Sequence, residues 1–253
     1  MGVSSDVLVE KMTSTADLAR AFEVNCAAFG EQTNDGIWSA IFPSWNSTIG
    51  KQQAISRLAA RLESDSKNKD GEPNTVFIKA TVPSRDDPSD VRIVAGFAIW
   101  MQGSAVPGFG EKPLENEISN EELELLYPGD AKEQRYLRQL LVSLHQRRTQ
   151  VIMEKADASP PAVFILDSCA VDPAFQRRGI ATQLVRWGLD EAKRRGGLEC
   201  ITEASSMGRH VYLREGFEAE GPDMTYDVDE EFTTRDRPPN VFLRTRKDLK
   251  WTV

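Results

Sequence analysis

Two periodicities alternate along the chain. Apolar residues spaced by four at Leu18, Phe22 and Cys26, behind a Ser14 or Thr15 cap, predict an N-terminal helix, and residues 52–63 resume that spacing. A longer helical block over 121–154 is cut in two by Tyr127-Pro128-Gly129, its second piece presenting Leu137, Leu140, Leu141 and Leu144 on one face. Runs rich in β-branched and aromatic residues at 7–11, 75–82 and 91–102 predict strands, the last two close enough in sequence to pair antiparallel. Residues 30–48 follow neither period, although Ile37, Trp38, Ile41, Phe42 and Trp45 crowd into them as core or as pocket lining.

After Pro160-Pro161 the pattern changes. Residues 162–171 are almost wholly apolar and too short for a typical helix, which predicts a central strand buried on both faces, with Asp167 as its one charge. A helix over 179–195 ends at Gly196-Gly197; a strand over 198–204, a helix over 207–215, a strand around Phe217 and a last strand over 241–246 follow. Strands and helices in this succession predict an α/β fold.

Composition narrows the function classes. With 253 residues and 40% hydrophobic content the chain supports one domain, 1–253, carrying a helical insertion over about 103–160. A net charge of −8 without a basic stripe argues against nucleic acid as a partner. No stretch is long and apolar enough to cross a bilayer, and residues 1–6 lack a signal-peptide pattern, so no membrane partner is expected. Cys26, Cys169 and Cys200 form no CxxC pair, as expected of free thiols in a cytoplasmic protein. His145 and His210 are the only histidines, neither in metal-ligand spacing, and no Gly-x-Ser-x-Gly elbow occurs, so neither a metal site nor a serine hydrolase is expected.

The chemistry concentrates in Val171-Asp172-Pro173-Ala174-Phe175-Gln176-Arg177-Arg178-Gly179-Ile180-Ala181, a tight loop between the buried strand and a helix start. Free backbone N–H groups and the helix dipole make such a loop an anion cradle, and Gly179 leaves it open to a close approach. It also reads simply as a helix start with two solvated arginines. Gln176-Arg177-Arg178-Gly179-Ile180-Ala181 resembles the (Arg/Gln)-x-x-Gly-x-(Gly/Ala) signature of the GCN5-related N-acetyltransferase (GNAT) superfamily. Cys169-Ala170-Val171-Asp172-Pro173 before it and Tyr212-Leu213-Arg214-Glu215-Gly216-Phe217 after it are similar to that family's flanking segments.

The resemblance implies a mixed, mostly antiparallel central sheet flanked by helices and splayed at the central strand, with an acetyl-CoA-binding core over about 162–219. It implies acetyl-CoA as cosubstrate, with the backbone of Cys169, Ala170 and Val171 along the pantetheine arm. Arg177, Arg178, Gly179, Ile180, Ala181 and Thr182 would then hold the pyrophosphate, with Gln176 also in the cofactor site. Ser205 or Ser206 stands where the family often has a cofactor-contacting asparagine. Tyr212 matches the tyrosine that protonates the departing sulfur in many relatives, or packs as a core residue. On regular alternation Asp167 shares a face with Cys169 and Val171, and burial would raise its pKa, suiting it to accept a proton or hold an ammonium group. Pairing with an arginine is its other role, and Glu203 is a second carboxylate of the same kind. The expected reaction is N-acetylation of a small-molecule amine by direct attack on the thioester. A protein lysine or N-terminal amine is the alternative acceptor, and a degenerate CoA-binding module the alternative outside enzymes.

Overall fold

The apolar runs become the inner strands of one sheet. In the computed structural model, which describes residues 6–84 and 91–245, the strands are β1 (Leu8–Lys11), β2 (Thr75–Pro83), β3 (Arg92–Gly103), β4 (Val163–Val171), β5 (Glu199–Ser205), β6 (Phe217–Ala219) and β7 (Asn240–Thr245). Their order is β1-β2-β3-β4-β5-β7-β6, and every neighbouring pair is antiparallel except β4 with β5. Arg246, the expected end of the last strand, and residues 1–5 lie outside the described part. No described helix is long and apolar enough to cross a membrane.

Two helical layers cover the sheet. On one face α6 (Ile180–Arg194) and α7 (Ser206–Arg214) bury Leu184, Val185 and Tyr212 against Trp100, Phe164 and Leu166. On the other, α1 (Leu18–Asn25) and α3 (Thr48–Leu62) pack on Phe77, Phe97 and Ala170. Between β3 and β4 the chain forms α4 (Asn120–Leu126) and α5 (Ala131–Glu154), each capped by an acidic or hydroxyl side chain, Ser119 and Asp130. The C-terminal part of α5 rests on the sheet, Val151 and Ile152 packing with Val163, Ile165 and Ile201.

The segment expected to be irregular is more ordered than its pattern suggests. Helix α1 runs into a π-helical stretch, Cys26–Gln32, and α2 (Gly36–Ile41) follows, capped by Asp35 through Ile37 and Trp38 N–H groups. A π-helical stretch places side chains off the 3.6-residue period, which is why the period fades there. Trp38 is buried beside Phe22, Phe42 and Trp45 and still lines the large cavity described below.

Candidate active site

Strand β4 pairs with β3 from Val163↔Gly103 to Val171↔Gly96, but Ile99 faces Ser168 whereas Trp100 faces Leu166. Asp167 is the extra residue of a β-bulge, and a bulge reverses which face the following side chains take. Phe164 and Leu166 belong to the α6 side before it, and Cys169 and Val171 belong to that side after it. Ile165 instead packs under α5, where Asp167 meets Arg148. The expected common face for Asp167, Cys169 and Val171 is therefore corrected: Asp167 points to the opposite side.

The charge state of Asp167 is corrected too. Its carboxylate takes Arg148 Nη1 at 2.9 Å and Arg61 Nη1 at 2.8 Å. Burial by itself would raise the pKa, but Arg61 and Arg148 outweigh it and hold the carboxyl well below the usual range. Arg148, from α5, is buried and also grips Glu203 of β5 through Nε at 3.1 Å and through Nη2. One guanidinium thus ties α5 to β4 and β5, the two strands that part company here.

Strands β4 and β5 pair only over Val163↔Glu199 to Ile165↔Ile201, and Thr202 Oγ1 donates to the Leu166 carbonyl at 2.8 Å as the last link. From there β5 continues with β7 and β4 with β3, so the parallel pair opens into a fork. Tyr212 reaches the fork from α7 and lines it together with Cys169. Burial pushes Cys169 up to about 12 and Tyr212 well above its ordinary value, so both keep their protons at neutral pH. Ser205 caps α7, accepting from Gly208 N at 3.4 Å, and Ser206 is exposed at its first position.

Below the fork the loop is held from two sides. Arg20 pairs with Asp172, and the Gln32 and Gln176 amides bond each other reciprocally at 3.1 and 2.8 Å. Gln176 also donates to the Val171 carbonyl at 3.2 Å, so its amide is spent on fixing the loop. Arg177, with φ +65°, and Gly179, with φ +80°, bracket Arg178 in left-handed geometry, strained for the arginine. The first bond into α6 runs from Gln183 N to Gly179 O, which leaves the N–H groups of Ile180, Ala181 and Thr182 at an unpaired helix start. A Cβ at Gly179 would meet nothing within 4 Å, so the cradle is open. Arg177 is exposed beside it, whereas Arg178 lies over the Phe175 ring at 5.1 Å.

Fork, cradle and an inner chamber form one cavity of about 2360 Å³. Its chamber end is walled by Trp38 of α2, Leu126 of α4 and Leu141 of α5. His145, one turn before Arg148 and Thr149, also faces it; Nδ1 lies 3.0 Å from Glu117 Oε2, and Thr149 Oγ1 donates to Glu117 Oε1 at 2.8 Å. Sequence reading did not single out Glu117, Arg148 or Arg61. The polar stripe His145, Arg148, Thr149 at helical spacing beside the leucine face was the available signal. Among the described residues no cluster of histidine, cysteine and carboxylate side chains could hold a metal.

A sequence profile of the acetyltransferase (GNAT) family matches residues 141–217, from the middle of α5 to the start of β6 and through the whole fork. Over these residues the chain is similar to the GNAT family. Solved structures share the fold along nearly the entire length. Arylalkylamine N-acetyltransferase 2 from Aedes aegypti is 17% identical with a TM-score of 0.56, over 94% of this chain and 98% of the other. A polyamine N-acetyltransferase from Drosophila melanogaster, which forms N-acetylagmatine, is 12% identical with a TM-score of 0.56, over 94% and 97%. A Corynebacterium glutamicum protein described as histone acetyltransferase HPA2 and related acetyltransferase gives 15% and 0.50, over 95% and 96%. At these identities the likeness is one of fold. No curated protein matches the chain in sequence.

Proposed function

We propose that this chain is a cytoplasmic acetyl-CoA-dependent N-acetyltransferase acting on a small-molecule amine, as one domain whose insertion walls the acceptor side. The observation that carries the reading is the continuity of one cavity from an open helix N-terminus, through the β4–β5 fork, into a chamber lined by α2, α4 and α5. The donor fits what is present: the N–H groups of Ile180, Ala181 and Thr182 and the α6 dipole suit a pyrophosphate, with Arg177 adding charge. The free edge of β4 at Cys169, Ala170 and Val171 suits an amide-bearing arm laid along it like an added strand. Acetyl-CoA supplies the activated acetyl carbon.

The chain's own groups complete the reaction. Tyr212, kept protonated by burial at the fork, donates to the sulfur as it leaves. A backbone N–H near Cys169 or Ala170 stabilises the oxyanion. Asp167 fixes Arg148 and Arg61, and so the chamber floor, while remaining ionised. The small-amine acceptor is supported by the chamber that Trp38, Leu126 and Leu141 line, and the Aedes and Drosophila proteins, named for such amines, share the fold.

The test is thiol release from acetyl-CoA with phenethylamine, tryptamine, agmatine, spermidine and a lysine-rich peptide, with products identified by mass spectrometry. Acetylation of one or more of the small amines is the expected result. Acetylation of the peptide alone would transfer the reading to a protein acceptor, and thiol release without any acetylated amine would remove it.

A further inference from the structure

The chamber contains an acid–imidazole pair that the fork chemistry leaves unused. His145 sits on α5 with Glu117 from the segment before α4, and Thr149 holds the other oxygen of the same carboxylate. Glu117 takes a left-handed backbone, φ +63°, to deliver its side chain. Burial would raise the Glu117 pKa, but hydrogen bonding to His145 outweighs it and lowers it, so the group is an ionised acceptor. An acceptor at Oε2 requires Nδ1 to carry the proton, which leaves the lone pair on Nε2. Among the described residues Nε2 has no hydrogen-bond partner, and the residue lines the cavity.

Register puts this nitrogen at the working level of the fork. Ile152 packs with Ile165, and Arg148 bonds Asp167, so α5 runs antiparallel to β4. Helix and strand advance at nearly matched rates, about 6 Å per four helical residues against about 6.6 Å per two strand residues. The next step places Leu144 and His145 level with Ser168 and Cys169, on the chamber side.

We propose that His145 is the catalytic base of this reaction, Nε2 receiving the proton that the amine nitrogen loses, with Glu117 as its positioning residue. This rests on the acetyltransferase reading above. The N–C bond forms as the C–S bond breaks; the bonding pair leaves with sulfur and is protonated by Tyr212. The amine proton passes to Nε2 and returns to the phenolate through solvent, so the two groups end as they began. The charged neighbours around the imidazole are Glu117 at Nδ1, Arg148 on the same helix, Asp167 of β4 with Arg61 of α3, and Glu203 of β5 through Arg148.

Two measurements test it. In ring-¹⁵N-labelled protein carrying His210→Gln, the remaining imidazole should show a protonated Nδ1 and an unprotonated Nε2 at pH 8, whatever the acceptor. In steady-state assays with phenethylamine and agmatine, His145→Ala should lose about 10²- to 10⁴-fold in kcat/KM with acetyl-CoA affinity within about twofold of wild type. The acidic limb of the rate profile should vanish, and added imidazole should restore part of the rate. His145→Gln, which keeps most of the volume, should show the same loss, and Glu117→Gln a smaller one with the limb displaced. Wild-type kcat/KM with an unchanged limb in either His145 variant, or a proton on Nε2 in the labelled protein, would overturn the assignment. A wild-type enzyme that acetylates no amine would instead overturn the reading on which it rests.

Discussion

Tyr212 is held by contacts that do not involve its hydroxyl. Its ring stands 6.0 Å from that of Phe217, and Gly208, one turn earlier on α7, leaves the room it fills: a Cβ there would lie 2.9 Å from the ring and from the oxygen. Tyr212→Phe should therefore fold normally while removing the proposed proton donor. The loss should fall on kcat by about 10²- to 10⁴-fold with little change in KM for acetyl-CoA, read in single-turnover assays where product release cannot mask it. Full activity would return the residue to packing alone. Asp167 presents a different case, an ionised carboxylate held between Arg61 and Arg148. Asp167→Asn should keep the acidic limb of the rate profile, because an already ionised carboxylate has no proton to lose in that range. It should cost about 1.5–3 kcal/mol, since Arg61 and buried Arg148 each trade a charged acceptor for a neutral one while Arg148 keeps Glu203. Thermal unfolding and a pH–rate series on the variant check the two halves separately.

Between elements, one glycine allows the close approach of α6 to β3. A Cβ at Gly188 would lie 2.0 Å from the Trp100 indole, which stacks on Phe164 at 5.1 Å. Gly188→Ala should lower stability by about 3 kcal/mol or more, against the gain of up to about 1 kcal/mol expected from helix propensity, as denaturant unfolding would show. That position was not legible in the sequence, because a mid-helix glycine looks the same whether it is tolerated or required. The helices and strands themselves were legible, since their periods are local and survive in any packing. The bulge at Asp167 was not, for it is fixed by how β3 and β4 meet at Ile99 and Trp100. The same division runs through the site. Residues 169–182 and 212–217 carry a contiguous motif, whereas His145, Glu117, Arg148 and Arg61 come together from separate elements that sequence spacing does not relate.

Across the whole molecule, carboxylates buried against arginines join the helical layers to the sheet, and Glu191 is the clearest of them. From α6 it takes Arg195 Nε at 3.0 Å and Arg194 Nη2 at 2.6 Å, with Lys11 of β1 at 3.8 Å. Arg195 goes on to the Pro73 carbonyl at 2.9 Å and Gln102 Oε1 at 2.8 Å, so the cluster binds α6 to β1, β3 and the chain entering β2. Burial would raise the Glu191 pKa, but hydrogen bonds from Arg194 and Arg195 bring it from 4.5 down to about 2. A folded value below the unfolded one means the unfolded chain binds the proton more readily, so the contribution is complete above pH 4.5 and lost as pH falls through 2. Between those limits roughly half or more of it is gone by pH 3. Glu191→Gln should lower Tm at pH 7 by about 3–6 °C, from roughly 1.5–3 kcal/mol of charge-assisted bonding at this chain length. The gap between variant and wild type should narrow steadily from pH 5 to pH 3. Asp35, whose pKa burial raises, acts in the opposite sense, but it is present in both proteins and cancels in the comparison. A Tm difference that stays constant across this range would mean that Glu191 contributes through packing and not through its charge.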